Sequence, residues 1–84
     1  MPNPFFAATE LSFAAQAGVP VTLDVFDVTG RRVRSLFQGR PVSGTLRVQW
    51  DGRSDAGSPL APGAYLVRFA RPGAAETIRL VRLR

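Results

Sequence analysis

Short segments in which apolar and polar side chains alternate are the clearest pattern along the chain. In residues 21–27 every second side chain up to Val25 is apolar, and residues 45–50 repeat the pattern up to Trp50. Because successive side chains of a β-strand point to opposite faces, this alternation predicts strands with one buried face. Less regular versions of the same pattern predict further strands at residues 9–13, 31–37, 64–69 and 76–84.

The inward positions of these strands define the expected core. Two strands depart from strict alternation. Val33 and Leu36 lie three residues apart, which predicts either a bulge or a strand covered on both faces. The apolar positions of the last strand change phase, which predicts a register switch near Leu80. We expect the remaining inward side chains to share one interior between facing sheets: Leu23, Val25, Val48, Trp50, Tyr65 and Val67.

Glycine and proline separate the predicted strands, and no segment has the periodicity of a helix. The segment 27–30 is typical of a tight hairpin turn, in which Asp27 bonds the backbone ahead of it and Gly30 adopts a positive φ. The long stretch 51–62 must cross from one sheet or edge to another. These features predict an all-β, Ig-like antiparallel β-sandwich of about seven strands, six of them clear and one short strand in the loops. We expect the first few residues to form a tether.

Length and composition fit one globular domain over residues 1–84. The chain has 84 residues, of which 45% are hydrophobic and 20% charged, and it contains neither Cys nor His. A chain of this length has apolar material for one core, and here neither a disulfide nor a zinc site can strengthen it. No apolar run is long enough to span a membrane, and the N-terminus lacks the pattern of a signal peptide. If the protein is exported, we expect the signal on an upstream part.

The chain has a net charge of +5, with eleven basic residues, all arginine, against six acidic ones, and most of this excess lies in residues 65–84. Arginine clusters can bind nucleic acid, but Arg47 and Arg68 alternate with core positions, which favours a solvated outer face. A carbohydrate-binding sandwich needs several exposed aromatic side chains. We regard it as a weaker alternative because only four aromatic residues lie outside the inward phase: Phe5, Phe6, Phe26 and Phe37.

Candidate catalytic chemistry is sparse. Without His or Cys the chain lacks the common bases, thiol nucleophiles and soft metal ligands, so we expect no enzyme, no catalytic residue and no cofactor. Residues 51–57 contain spaced Asp residues that suggest a calcium loop. The motif fails because its third and sixth positions are Arg53 and Ala56, so we expect Asp51 and Asp55 to cap turns instead.

Five short motifs, in order, resemble the C-terminal sorting domains of type IX secretion cargo proteins and the related Ig-like domain of flagellar hook-capping proteins. They are PNPF at 2–5, VFDVTGRRV at 25–33, WDG at 50–52, LAPGAY at 60–65 and RLVRL at 79–83. Together they extend over nearly the whole chain. The sequence departs from the secretion family at Arg79 and Arg82, where Lys is usual; arginine keeps the charge but changes the hydrogen-bond geometry.

The resemblance implies a sorting or anchoring module that directs a larger exported protein across the outer membrane to the cell surface or the medium. Its partners would be proteins of the outer-membrane secretion machinery and the upstream domains of the parent protein, with neither nucleic acid nor membrane insertion. Residues 76–84 would offer an exposed terminal strand for pairing. A structural assembly domain of the hook-capping type is the alternative. The recognition candidates are Gly30, Arg31, Gly63, Tyr65, Arg79, Arg82 and Arg84.

Overall fold

The computed structural model describes residues 3–5 and 8–83, with side chains from residue 8 onward. All regular elements in this part of the chain are strands, so the predicted all-β class is confirmed. Among the described residues no helix is long and apolar enough to cross a membrane. The strands are β1 (Asn3–Phe5), β2 (Thr9–Ala14), β3 (Val21–Asp27), β4 (Arg32–Gly39), β5 (Thr45–Trp50), β6 (Gly63–Arg71) and β7 (Ala74–Arg82).

The strands form two sheets that face each other as an Ig-like sandwich. One sheet has five strands in the order β1-β7-β6-β3-β4, and the other pairs β2 with β5. All neighbouring pairs are antiparallel except β1 with β7, which is parallel. The loop between β5 and β6 crosses from the small sheet to the large one, as the sequence predicts.

The core lies between the sheets and is formed by the predicted inward phase. Trp50, Leu23, Val25 and Val67 are fully buried, and Val48 is partly buried against the same cluster. Phe13 stacks on Phe69 across the interior, with the ring centroids 4.9 Å apart. Trp50 meets Tyr65 edge to face at 5.7 Å. This aromatic packing fixes how the small sheet sits on the large one.

The bulge predicted around Val33 and Leu36 is confirmed. The β3–β4 pairing shifts register twice, and the residues skipped on β4 are Val33 and Leu36. Each bulge adds a residue to β4, so Arg34 lies opposite Val25 and therefore on the inward face.

Two predictions about the chain ends are wrong. Asn3–Phe5 is not a tether but a strand that pairs with Leu80–Arg82, and this is where the short extra strand lies rather than in the loops. The register switch near Leu80 is also absent, because β6 and β7 pair without a shift from Gly63 to Arg71. Ile78, Leu80 and Arg82 therefore all point inward, and Arg82 occupies a position that the alternation assigned to an apolar side chain.

Candidate functional site

The hairpin between β3 and β4 is closed by one carboxylate. Asp27 Oδ1 accepts hydrogen bonds from the backbone N–H of Thr29 at 2.9 Å and of Arg31 at 3.1 Å. The N–H of Gly30 bonds the Asp27 carbonyl at 3.0 Å, and Gly30 has a φ of +88°, a conformation that side chains with a Cβ rarely adopt. The predicted turn is therefore confirmed, and Gly30 serves the fold.

The electrostatics of this turn follow from the same bonds. The hydroxyl of Thr29 donates to Asp27 and lowers the pKa of that carboxyl, and the backbone N–H groups and the charge of Arg31 add to the effect. Arg31 forms a 3.4 Å ion pair with Asp27, yet its side chain remains 78% exposed. Such an exposed pair contributes little stability, so Arg31 is available for contacts outside the chain.

Tyr65 fixes the start of β6. Its hydroxyl donates a 2.6 Å hydrogen bond to the carbonyl of Ala61, four residues upstream, in the manner of the tyrosine corner of Ig-like sandwiches. Burial raises the pKa of the Tyr65 hydroxyl, while the nearby charge of Arg82 acts in the opposite direction. Gly63, with a φ of +145°, leads the chain into the strand. The Tyr65 hydroxyl therefore holds the end of the loop to the sheet, and Gly63 supplies the backbone conformation in which β6 begins.

Arg82 is the only buried charged side chain among the described residues, at 9% exposure. Its Nε has no hydrogen-bond partner in this part of the chain. The guanidinium lies against Gly52, where a Cβ would overlap Arg82 Nε. Gly52 has a φ of +75°, so both its backbone and its missing side chain suit this contact. Arg82, one of the recognition candidates, is therefore buried, and the folded module does not present it as an exposed contact.

The side chain of Arg34, for which the sequence predicts no role, binds the loop after β5. Its Nη1 donates to Asp51 Oδ1 at 3.1 Å and to the carbonyl of Arg53 at 3.0 Å. Asp51 also caps its own turn by accepting from the Arg53 N–H, while Asp55 accepts from the N–H of Ser35 on β4. The Asx turn predicted at Asp51 is confirmed, but the one predicted at Asp55 is wrong, because that carboxylate bonds β4 and not its own loop.

The remaining strong feature is on the outer face of the large sheet. Four apolar side chains there are only half-buried, and none of them packs against the core cluster. Three exposed arginines surround them. We call this surface the outer patch; it consists of Phe26, Ala64, Leu66, Val81, Arg32, Arg68 and Arg79.

The structure separates the recognition candidates into two places. Register pairing brings Tyr65 opposite Asp27, and Gly63 opposite Arg82, so these residues and the turn at Gly30 share one end of the sandwich. Arg79 lies apart, opposite Leu66 on the outer face. Arg84 lies outside the described residues. Within the described ranges, no group of three or more His, Cys, Asp or Glu side chains could hold a metal ion.

The terminal strand is less exposed than expected. β1 covers β7 at Leu80–Arg82, so only the part of β7 before Leu80 lies outside that pairing. Added strand pairing at the last residues of β7 would require the displacement of β1. The outer patch, in contrast, needs no rearrangement to be reached.

Comparison with solved structures gives two close likenesses, both from Porphyromonas gingivalis. Dimeric latent PorU matches 98% of this chain with 26% identity and a TM-score of 0.76. PorZ, described as an essential bacterial surface component of the type-IX secretion system, matches 99% of the chain with 27% identity and a TM-score of 0.60. The chain spans only 9% of PorU and 11% of PorZ. No curated protein matches it.

Comparison with protein families connects the chain to the second group named by the sequence resemblance. The pattern of the FlgD Ig-like domain matches residues 4–72, from β1 through β6. This range contains the Asp27 turn, Gly52 and the tyrosine corner, whereas Arg82, which contacts Gly52, lies beyond it. The chain therefore belongs to the FlgD Ig-like domain family.

Proposed function

We propose that the chain is a non-catalytic sorting module that directs a larger exported protein to the cell surface through a type IX-like secretion machinery. The observation that carries the proposal is the fit to PorU and PorZ over 98% and 99% of the chain, including β7, although it spans only about a tenth of each protein. A small domain that recurs within larger proteins is better suited to act as a sorting signal than to have an activity of its own.

The chemistry of the described residues supports a binding role. The polar groups that come together cap turns and hold loops, as the bonds of Asp27, Arg34 and Tyr65 show. What the module presents to a partner is a rigid sandwich whose large sheet carries three exposed arginines on its outer face: Arg32, Arg68 and Arg79. Export across the outer membrane is the localisation that follows from this role.

A structural assembly domain of the hook-capping type is the second candidate. It is favoured by the family match over residues 4–72. That match ends before β7, whereas the likeness to PorU and PorZ continues through most of β7. We therefore place the sorting role first.

The test is a reporter fused upstream of the module and given an export signal, expressed in the bacterium that encodes the chain. We expect the reporter to reach the cell surface or the medium when the module is present and to remain in the periplasm when it is absent. A reporter that stays in the periplasm beside a folded module would contradict the sorting role and favour the assembly role.

The control must keep the fold intact. Deletion of residues 77–84 would remove the fully buried Leu80 and the Arg82 contact, so lost export would not separate an address from a core element. Arg47→Glu is a better reference, because Arg47 is exposed on β5 in the small sheet. The amount of reporter exported by the Arg47→Glu module should equal the amount exported by the unchanged module.

A further inference from the structure

The outer patch has an ordered arrangement across four strands. Phe26 lies opposite Arg32 on one side and Leu66 on the other, and Leu66 lies opposite Arg79. One row across the sheet therefore reads arginine, apolar, apolar, arginine. Since neighbouring strands lie about 4.8 Å apart, the two arginines are anchored roughly 14 Å from each other.

Two further positions widen the apolar centre. Ala64 and Val81 lie opposite each other one step along the sheet from Leu66, on the same outer face. Arg68 follows Leu66 in the other direction, with Asp24 opposite it. The patch therefore has an apolar middle and a predominantly positive border.

We propose that the outer patch is the surface by which the module is recognised, and that its occupant is a protein segment with an apolar centre flanked by carboxylates. This inference rests on the proposed sorting function. Aromatic residues and arginine are enriched at protein interfaces, and arginine binds carboxylates with two parallel hydrogen bonds. Because the border of the outer patch is positively charged, the partner segment must be negatively charged there. Acidic groups of the partner opposite Arg32 and Arg79 would steer its approach and fix its orientation.

The same features disfavour a lipid surface. Membrane attachment by charge uses clusters of about four to eight basic residues, and insertion uses protruding apolar side chains. The outer patch has three arginines beside Asp24, and Phe26 is half-buried in mid-sheet rather than on a protruding loop. Such a surface can match another protein but has little to insert.

A matched pair of charge reversals provides the first test. Arg79→Glu and Arg47→Glu change the charge equally, and both replace an exposed arginine in mid-strand, but only Arg79 borders the outer patch. We expect Arg79→Glu to reduce the surface-exposed reporter about tenfold or more, while Arg47→Glu leaves it unchanged. Equal export by both variants would overturn the inference, provided that the purified modules unfold at the same temperature.

Photocrosslinking provides the second test and identifies the occupant. The photoreactive residue p-benzoylphenylalanine replaces Phe26 in one fusion and the exposed Ser12 of β2 in the control. We expect the probe at position 26 to crosslink to an acidic segment of another protein, with no such product at position 12. A crosslink to lipid, to a second copy of the module or to the reporter's own chain would contradict the proposed occupant of the outer patch. Normal export without any crosslink at position 26 would contradict it as well.

The two proposals fail differently. If the unchanged module does not export the reporter, the sorting function itself is wrong. If the unchanged module and Arg79→Glu both export it fully, the sorting function stands and the outer patch is not the recognition surface.

Discussion

Both faces of the large sheet carry apolar side chains that alternate along the same strands, but only those of the inner face form the core. On the inner face Val25, Val67 and Phe69 are completely buried, so packing constrains these three positions. On the outer face Phe26 and Leu66 alternate with them along the same strands, yet pack on nothing in the core cluster. The difference separates what the sandwich needs in order to fold from what it can offer to a partner.

The largest effect should come from truncating matched phenylalanines on the two faces. Phe69→Ala removes a fully buried ring stacked on Phe13 and should lower the free energy of unfolding by about 3–5 kcal/mol. Phe26→Ala removes a half-buried outer ring and should cost about 1 kcal/mol or less. Chemical denaturation of both variants measures the difference. Equal losses would show that the outer face also packs as a core.

The contact between Gly52 and Arg82 should give the next effect. In Gly52→Ala the new Cβ meets Arg82 Nε and the residue must hold a φ of +75°, so we expect a loss of about 2–4 kcal/mol. In an Arg82→Met background the same change should cost about 1–2 kcal/mol, because the terminal methyl that takes the place of Nε can rotate away from the new Cβ and mainly the backbone strain remains.

Arg82→Met alone serves as the control for that cycle. It replaces a buried side chain whose Nε has no hydrogen-bond partner among the described residues, so the free energy of unfolding should change by about 1 kcal/mol or less. A much larger loss would mean that the guanidinium stabilises the fold.

Removal of the tyrosine corner should have a smaller effect. Tyr65→Phe keeps the edge-to-face contact with Trp50 but loses the hydrogen bond to Ala61. We therefore expect chemical denaturation to show a free energy of unfolding about 1 kcal/mol lower.

The raised pKa of Tyr65 predicts that its hydroxyl titrates above the usual value of about 10 in an ultraviolet pH titration. Normal titration in the folded module would contradict the burial.

The smallest effect concerns the hairpin turn. Because the folded state lowers the pKa of Asp27, its contribution to stability is present above the unfolded value of about 3.9 and is lost as the pH falls through the folded value. Urea denaturation from neutral to strongly acidic pH should therefore show a stability gap between the unchanged module and Asp27→Asn that closes in acid. A gap independent of pH would contradict the assigned bonds.

The sequence predicted the inner face better than the ends of the sheet. The bounds of β3 and β5 agree with the structure because both strands alternate strictly and are closed by turn residues. β1 was missed because it has three residues, contains Pro4 and pairs in parallel with the far end of the chain. Local patterns carry no information on such a distant pairing.

The candidate site was predicted only where local chemistry determines it. The Asp27 turn and Gly30 follow from their own neighbours in sequence. The burial of Arg82 could not be predicted, because arginine is rarely buried and nothing in the local pattern reveals the space that Gly52 leaves for it. The role of Arg34 likewise depends on two bulges that turn it toward a loop distant in sequence.

The central claim is tested most directly by treating intact cells with an external protease and measuring the fraction of module-fused reporter that is cleaved. We predict that most of the reporter is cleaved when the unchanged module is attached, and that little is cleaved when an unrelated sandwich of similar size replaces it. Protection of the reporter in both fusions, with the module folded, would contradict the sorting function.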